Sequence, residues 1–138
     1  MPDITPTFRL QHYEMPAMDK ANHLFMALLG ALPLASRTAL PCLLNNLLIN
    51  VHKHFDQEER FMMGTRYDGY ERHRHQHQQL VSLLTHFQHR LDLGEDLDPL
   101  DLHSQLCSWQ DEHQQSWDAP LAQHLKHNSY WKPSAKVA

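Results

Sequence analysis

A chain of 138 residues, 41% of them hydrophobic, has the size of one domain: long enough to bury a single core and too short for two. Its formal net charge of -4 argues against a surface built to grip nucleic-acid phosphates. Abundant Leu with few Gly, Val and Ile favours helices over strands.

Residues 1–15 contain Pro2, Pro6, Phe8, Tyr13 and Met15 without a period and lack a basic stretch followed by an apolar one. They read as an arm laid over the domain rather than a secretory signal. From 16 to about 32, Met18, Leu24, Phe25, Leu28, Leu29 and Leu32 recur at helical spacing. Pro16 suits the first turn, and Gly30 with Pro33 ends the run. The longest apolar stretch, 24–35, falls short of the roughly 18 residues that a bilayer span needs, which predicts a soluble, cytoplasmic protein.

Ser36 can cap a second helix in which Pro41 is tolerable only near the start, and Leu40, Leu43, Leu44, Leu47, Leu48, Val51, Phe55 and Met62 form its apolar stripe as far as Gly64. A third helix begins near Gly69 and carries Tyr70, His73, His77, Leu80, Val81, Leu84, Phe87 and Leu91 on one side until Gly94 stops it. Asp98 and Pro99 form a cap followed by proline at the first helical position, opening a fourth helix through Leu102, Leu106, Trp109, His113, Trp117, Leu121 and Leu125. Cys42 and Cys107 fall within these leucine patterns and lack a partner motif, which predicts buried free thiols. Four amphipathic helices with short links predict an all-α, up-down-up-down four-helix bundle. It forms one domain over 1–138: an arm at 1–15, a bundle at about 16–127 and a tail at 128–138 in which Trp131 is an anchor.

Chemistry enters where polar residues take positions that the leucine pattern assigns to the interior. His54 and Glu58 are four apart, as are His73 and His77, so each pair shares a helix face and can offer two ligands to one metal or to adjacent ones. A buried imidazole or carboxylate without a partner costs several kcal/mol, so four at one level require a common compensation. A metal supplies it, and an internal salt-bridge network is the alternative. By the same phase, His75 and His86 should meet solvent. The remaining histidines, His12, His52, His89, His103, His124 and His127, receive no site role.

His113 and Asp118 are five apart, which on a regular helix separates them by about 140°. Pro120 lacks an N–H, and its ring clashes with the carbonyl of Ser116. A π-bulge or kink between His113 and Pro120 follows, and it would swing Asp118 inward.

The pattern His54-Phe55-x-x-Glu58-Glu59, then His73-x-x-x-His77, then Trp109-x-x-x-His113-x-x-x-x-Asp118, with His23 on the first helix, resembles the hemerythrins, specifically the single-domain bacteriohemerythrins, over about residues 15–127. The resemblance implies two non-haem iron ions bridged by Glu58, Asp118 and an oxo or hydroxo group. It gives one iron His73, His77 and His113, and the other His23 and His54. The second iron is then a ligand short, and the family binds O2 there. Histidine-rich ligation suits iron better than the harder ions, and Asp19, Glu59, Asp111 and Glu112 are candidate partners for the imidazoles. Phe55, Met26 and Trp109 would wall the O2 pocket.

Departures from the family pattern bear on function. Asp19 stands four residues before His23 where the family usually has three. Gln110 and Gln114 replace the aliphatic residues that flank His113 in the family, and these amides could admit water or hydrogen-bond a bound oxidant. The leading reading is a binding protein that takes up O2 reversibly for storage, delivery or sensing. The alternatives are a di-iron peroxidase or oxidase acting on H2O2 or NO, and an iron or redox sensor.

Overall fold

The computed structural model describes residues 16–128, so the expected arm and the tail beyond Asn128, Trp131 included, lie outside the described residues. Its elements are α1 (Pro16–Gly30), a 3-10 turn (Leu32–Leu34), α2 (Leu40–Gly64), α3 (Tyr70–Asp92), α4 (Pro99–His113), a π-helical turn (Gln114–Asp118) and α5 (Ala119–His127). The last three form one rod, so four rods make a helical bundle, with α2 packed against α1 and α3 and α1 against α4. No strand occurs among the described residues. No helix among them is long and apolar enough to cross a membrane.

Local chemistry sets the helix ends. Asp98 accepts a hydrogen bond from the Leu100 amide at 3.1 Å, with Pro99 behind it in the first turn, as a side-chain cap requires. Gly94 takes φ +86 after α3. The Glu95 amide reaches back to the Arg90 carbonyl at 3.0 Å, and the Gly94 amide to that of Leu91 at 2.9 Å. This double closure needs a left-handed residue, which glycine adopts without a Cβ penalty. Ser36 caps less directly than expected: its Oγ accepts from the Ala39 amide at 3.2 Å, closing a turn that precedes α2.

The interior divides into two apolar clusters. The larger contains Phe25, Leu29, Leu44, Leu47, Val51, Phe55, Leu80, Leu84, Leu102 and Leu106. The smaller, at the other end of the bundle, contains Met18, Met62, Leu121, Ala122 and Leu125. The expected burial of both thiols does not hold: Cys42 is exposed and Cys107 only half-buried, although both are free. Cys42 lies off the Leu40, Leu44, Leu47 stripe that α2 turns inward, and Cys107 sits beside Leu106 at the stripe's margin.

Candidate metal centre

Between the two clusters every rod switches from apolar to polar side chains at one level. Along α2 the buried stripe runs from Val51, His54 and Phe55 through Glu58 to Met62. On α3 it runs from His73 and His77 to Leu80 and Leu84. On the fourth rod Leu106 gives way to Gln110, His113, Gln114 and Asp118 before Leu121 resumes the apolar face. On α1, Met18 is followed by Asn22 and then Phe25. The bundle therefore carries a polar layer sealed by hydrocarbon above and below.

The π-helical turn makes the fourth rod's contribution possible. The Ala119 amide bonds to the Gln114 carbonyl, a five-residue closure that widens the turn, and Pro120 has no N–H with which to restore the ordinary bond. Asp118 thereby comes back beneath His113, with Oδ1 3.0 Å from the His113 Nε2, and is fully buried. The bulge foreseen from the five-residue spacing is present at that place.

Glu58 stands at the centre of the layer. Its Oε2 lies 2.7 Å from the His54 Nε2, and its Oε1 lies 3.1 Å from that of His77 and 3.2 Å from that of His73. The His73 Nε2 is also 3.3 Å from the Asp118 Oδ1. One ligand atom from each of Glu58, His73, His77, His113 and Asp118 lies within 4.8 Å of every other. Bonds of roughly 2.1 Å meeting at right angles place neighbouring donors about 3 Å apart, the spacing of the four nearest imidazole–carboxylate pairs in the group.

Hydrogen bonding gives an independent test of whether a cation fits. Neither oxygen of buried Asp118 accepts a hydrogen bond, and neither ring nitrogen of His73 or His113 has a hydrogen-bond partner. Their approaches are close but not aligned as donor and acceptor. Leaving a buried carboxylate in this state costs more than the 1 to 3 kcal/mol of an ordinary orphaned group. The His77 Nδ1 meets the Glu59 Oε2 at 2.9 Å; with its proton directed there, the Nε2 lone pair faces the Glu58 Oε1. Two lone pairs about 3 Å apart repel unless a cation lies between them, so the donor set fits a metal ion.

Without metal, protons perform part of this neutralisation. Burial disfavours protonation of His73, but the Asp118 and Glu58 carboxylates outweigh it and push its pKa up to about 9. His54 is likewise raised, Glu58 overcoming the effect of burial. Burial prevails at His113, whose pKa is lowered. For both carboxylates burial works against ionisation; His54 nevertheless holds Glu58 well below the ordinary range, and His113 with His73 lowers Asp118.

The walls come from aromatic rings. Phe55 stacks on His77 with centroids 3.8 Å apart and planes 1° from parallel, and Trp109 stacks on His113 at 4.4 Å and 15°. Each fixes an imidazole's plane. Met26 is partly buried against the larger apolar cluster. A cleft of about 500 Å³ between α2 and α3 ends on Phe55, Glu59 and His77. A second, of about 670 Å³, lies between α1 and α2 and reaches His54.

Six of the seven residues singled out as ligands meet in this layer, five in the compact group and His54 against Glu58. The seventh, His23, is half-buried on α1 with its Nε2 covered, and it is not in the compact group. Gln110 and Gln114 are fully buried, and the Gln110 Nε2 donates to the Asn22 Oδ1 at 3.2 Å. His75 and His86 are exposed, as expected. Of the four carboxylates considered as imidazole partners, Glu59 holds the His77 ring. Asn22 escaped the sequence reading, although its spacing from Met18 and Phe25 marks the interior face of α1. Comparison of the chain with protein-family models, with curated proteins and with solved structures returned no match.

Proposed function

We propose that the chain is a hemerythrin-type protein that holds non-haem iron in this layer and takes up O2 reversibly. The observation that carries the reading is the convergence of three imidazoles and two carboxylates at metal-ligand spacing, with both Asp118 oxygens lacking any hydrogen bond. His73, His77 and His113 would hold one iron. Glu58 and Asp118 would lie between it and a second, which takes His54. Ferrous iron supplies the electrons that dioxygen needs in order to bind.

The chain's own groups decide whether that binding is reversible. Glu59 fixes the His77 ring through Nδ1, keeping its other nitrogen directed at the centre. Phe55 and Trp109 lie flat on two of the imidazoles and exclude water from their faces. A His-rich shell donates less charge than a carboxylate-rich one, which favours release of oxygen over its cleavage. Gln110 and Gln114 support the enzymatic reading, because two polar amides are buried next to His113 in the chain where the family has aliphatic residues, although Gln110 already donates to Asn22.

The test is anaerobic reduction followed by exposure to O2, with visible absorption and metal content read on the same sample. The carrier reading expects a band that disappears on degassing and returns on re-exposure. A band that decays irreversibly, with H2O2 consumed when a reductant is supplied, transfers the assignment to the peroxidase. His73→Ala and His77→Ala should each lose roughly half or more of the iron, since a direct ligand should matter more than the 10- to 100-fold of an indirect one. Full iron retention in both variants would refute the site.

A further inference from the structure

The polar layer is not symmetric about Glu58 and Asp118. On one side three imidazoles, from His73, His77 and His113, approach the two carboxylates. On the other side α2 contributes His54. The interior position that α1 offers at this level is Asn22, on the stripe Met18, Asn22, Phe25, Leu29, each of them essentially inaccessible to solvent. His23 is the next residue along, turned about 100° round the helix and half-buried. The Asn22 carboxamide is moreover engaged: its Oδ1 accepts from Gln110 at 3.2 Å, and its Nδ2 has no hydrogen-bond partner.

We propose that the centre is built with two unequal metal positions. One, at His73, His77 and His113, retains its ion; the other, at His54 against the shared carboxylates, is labile and exchanges with solution. The inference rests on the reading that this layer holds metal. Its physical basis is ligand chemistry: imidazole suits iron and zinc, whereas a neutral carboxamide oxygen suits the harder ions and binds the others weakly. Geometry adds a route. The cleft between α1 and α2 is lined by Lys20, Asn50, Lys53 and His54, which gives the weaker position a path to solvent; the cleft between α2 and α3 reaches His77. At the stronger position Glu59 closes over His77 from behind.

The experiment uses full-length protein stripped of metal, titrated anaerobically with Fe2+ and then desalted, with retained iron read by elemental analysis. The wild type should keep about one equivalent and lose the second, which binds at least roughly tenfold more weakly, the smallest effect expected of a change beyond the direct ligands. Asn22→His, which places an imidazole on the inward face of α1, should raise retention to about two equivalents. His23→Ala should leave the wild-type value unchanged, so the test does not depend on the folding of Asn22→His. Two equivalents retained by the wild type, or loss of iron in His23→Ala, would overturn the asymmetry while leaving the metal centre standing. Retention of none would overturn both.

Discussion

Glu58→Gln isolates the charge balance of the metal-free layer. The carboxylate touches His54, His73 and His77 within 3.2 Å, and the amide keeps its shape while removing its charge. Raising His73 from 6.5 to about 9 is worth roughly 3 kcal/mol at about 1.4 kcal/mol per unit, shared between Glu58 and Asp118. His54 depends on Glu58 as well, so the variant should lose roughly 2 to 4 kcal/mol, overlapping the roughly 3 to 5 kcal/mol of breaking a buried ion pair.

The sign of the pH dependence follows from the direction of each shift. His73 has a raised folded-state pKa, so its contribution is full below about pH 6.5 and is lost as pH rises through about 9. Glu58 and Asp118 are lowered, so their contribution holds above the ordinary carboxylate range and is lost on acidification below it. Urea unfolding of chelator-treated protein, followed by circular dichroism, should show the wild type weakening between about pH 6.5 and 9 and Glu58→Gln weakening much less. A variant as stable as the wild type at about pH 6, or an alkaline decline of equal size in both proteins, would refute this account of the layer.

Deleting Ser116, an exposed residue of the π-helical turn, would convert it to an ordinary turn with His113 and the aspartate four apart, but would return Pro120 to a clash worth about 3 kcal/mol. The deletion alone should therefore destabilise the protein, and the deletion combined with Pro120→Ala should recover both stability and metal retention, read by thermal unfolding and elemental analysis. Gly94→Ala meets no atom within 4 Å yet must hold φ +86, so it should lower stability by about 1 kcal/mol through backbone strain alone; an unchanged melting temperature would contradict this.

Much of the centre could be read from the order of residues because its ligands interrupt leucine stripes. His54 and Glu58 fall on the stripe that contains Val51 and Met62, and His73 and His77 on the one that continues to Leu80, so helical phase alone brings them inside. The irregular turn was legible for a different reason: five residues between His113 and Asp118 do not close on a regular helix, and Pro120 removes the bond that would force one. The first helix was less readable. A histidine drew attention to position 23, whereas the burial phase set by Met18, Phe25 and Leu29 selects its neighbour Asn22. The choice of Glu59 for His77 depends on how α2 and α3 face each other across their turn, and the hydrogen bond between Gln110 and Asn22 depends on how α1 meets α4. Neither relation is encoded by spacing along one helix.

The polar layer also makes the two ends of the bundle unequal partners. Hydrocarbon contact cannot pass through a slab of carboxylates and imidazoles, so the five buried side chains at the α5 end form a minor anchor joined to the major one through side chains that metal or protons must neutralise. Cooperativity along the rods therefore passes through coordination chemistry, and whatever fills the layer acts as the rivet that makes two small cores behave as one.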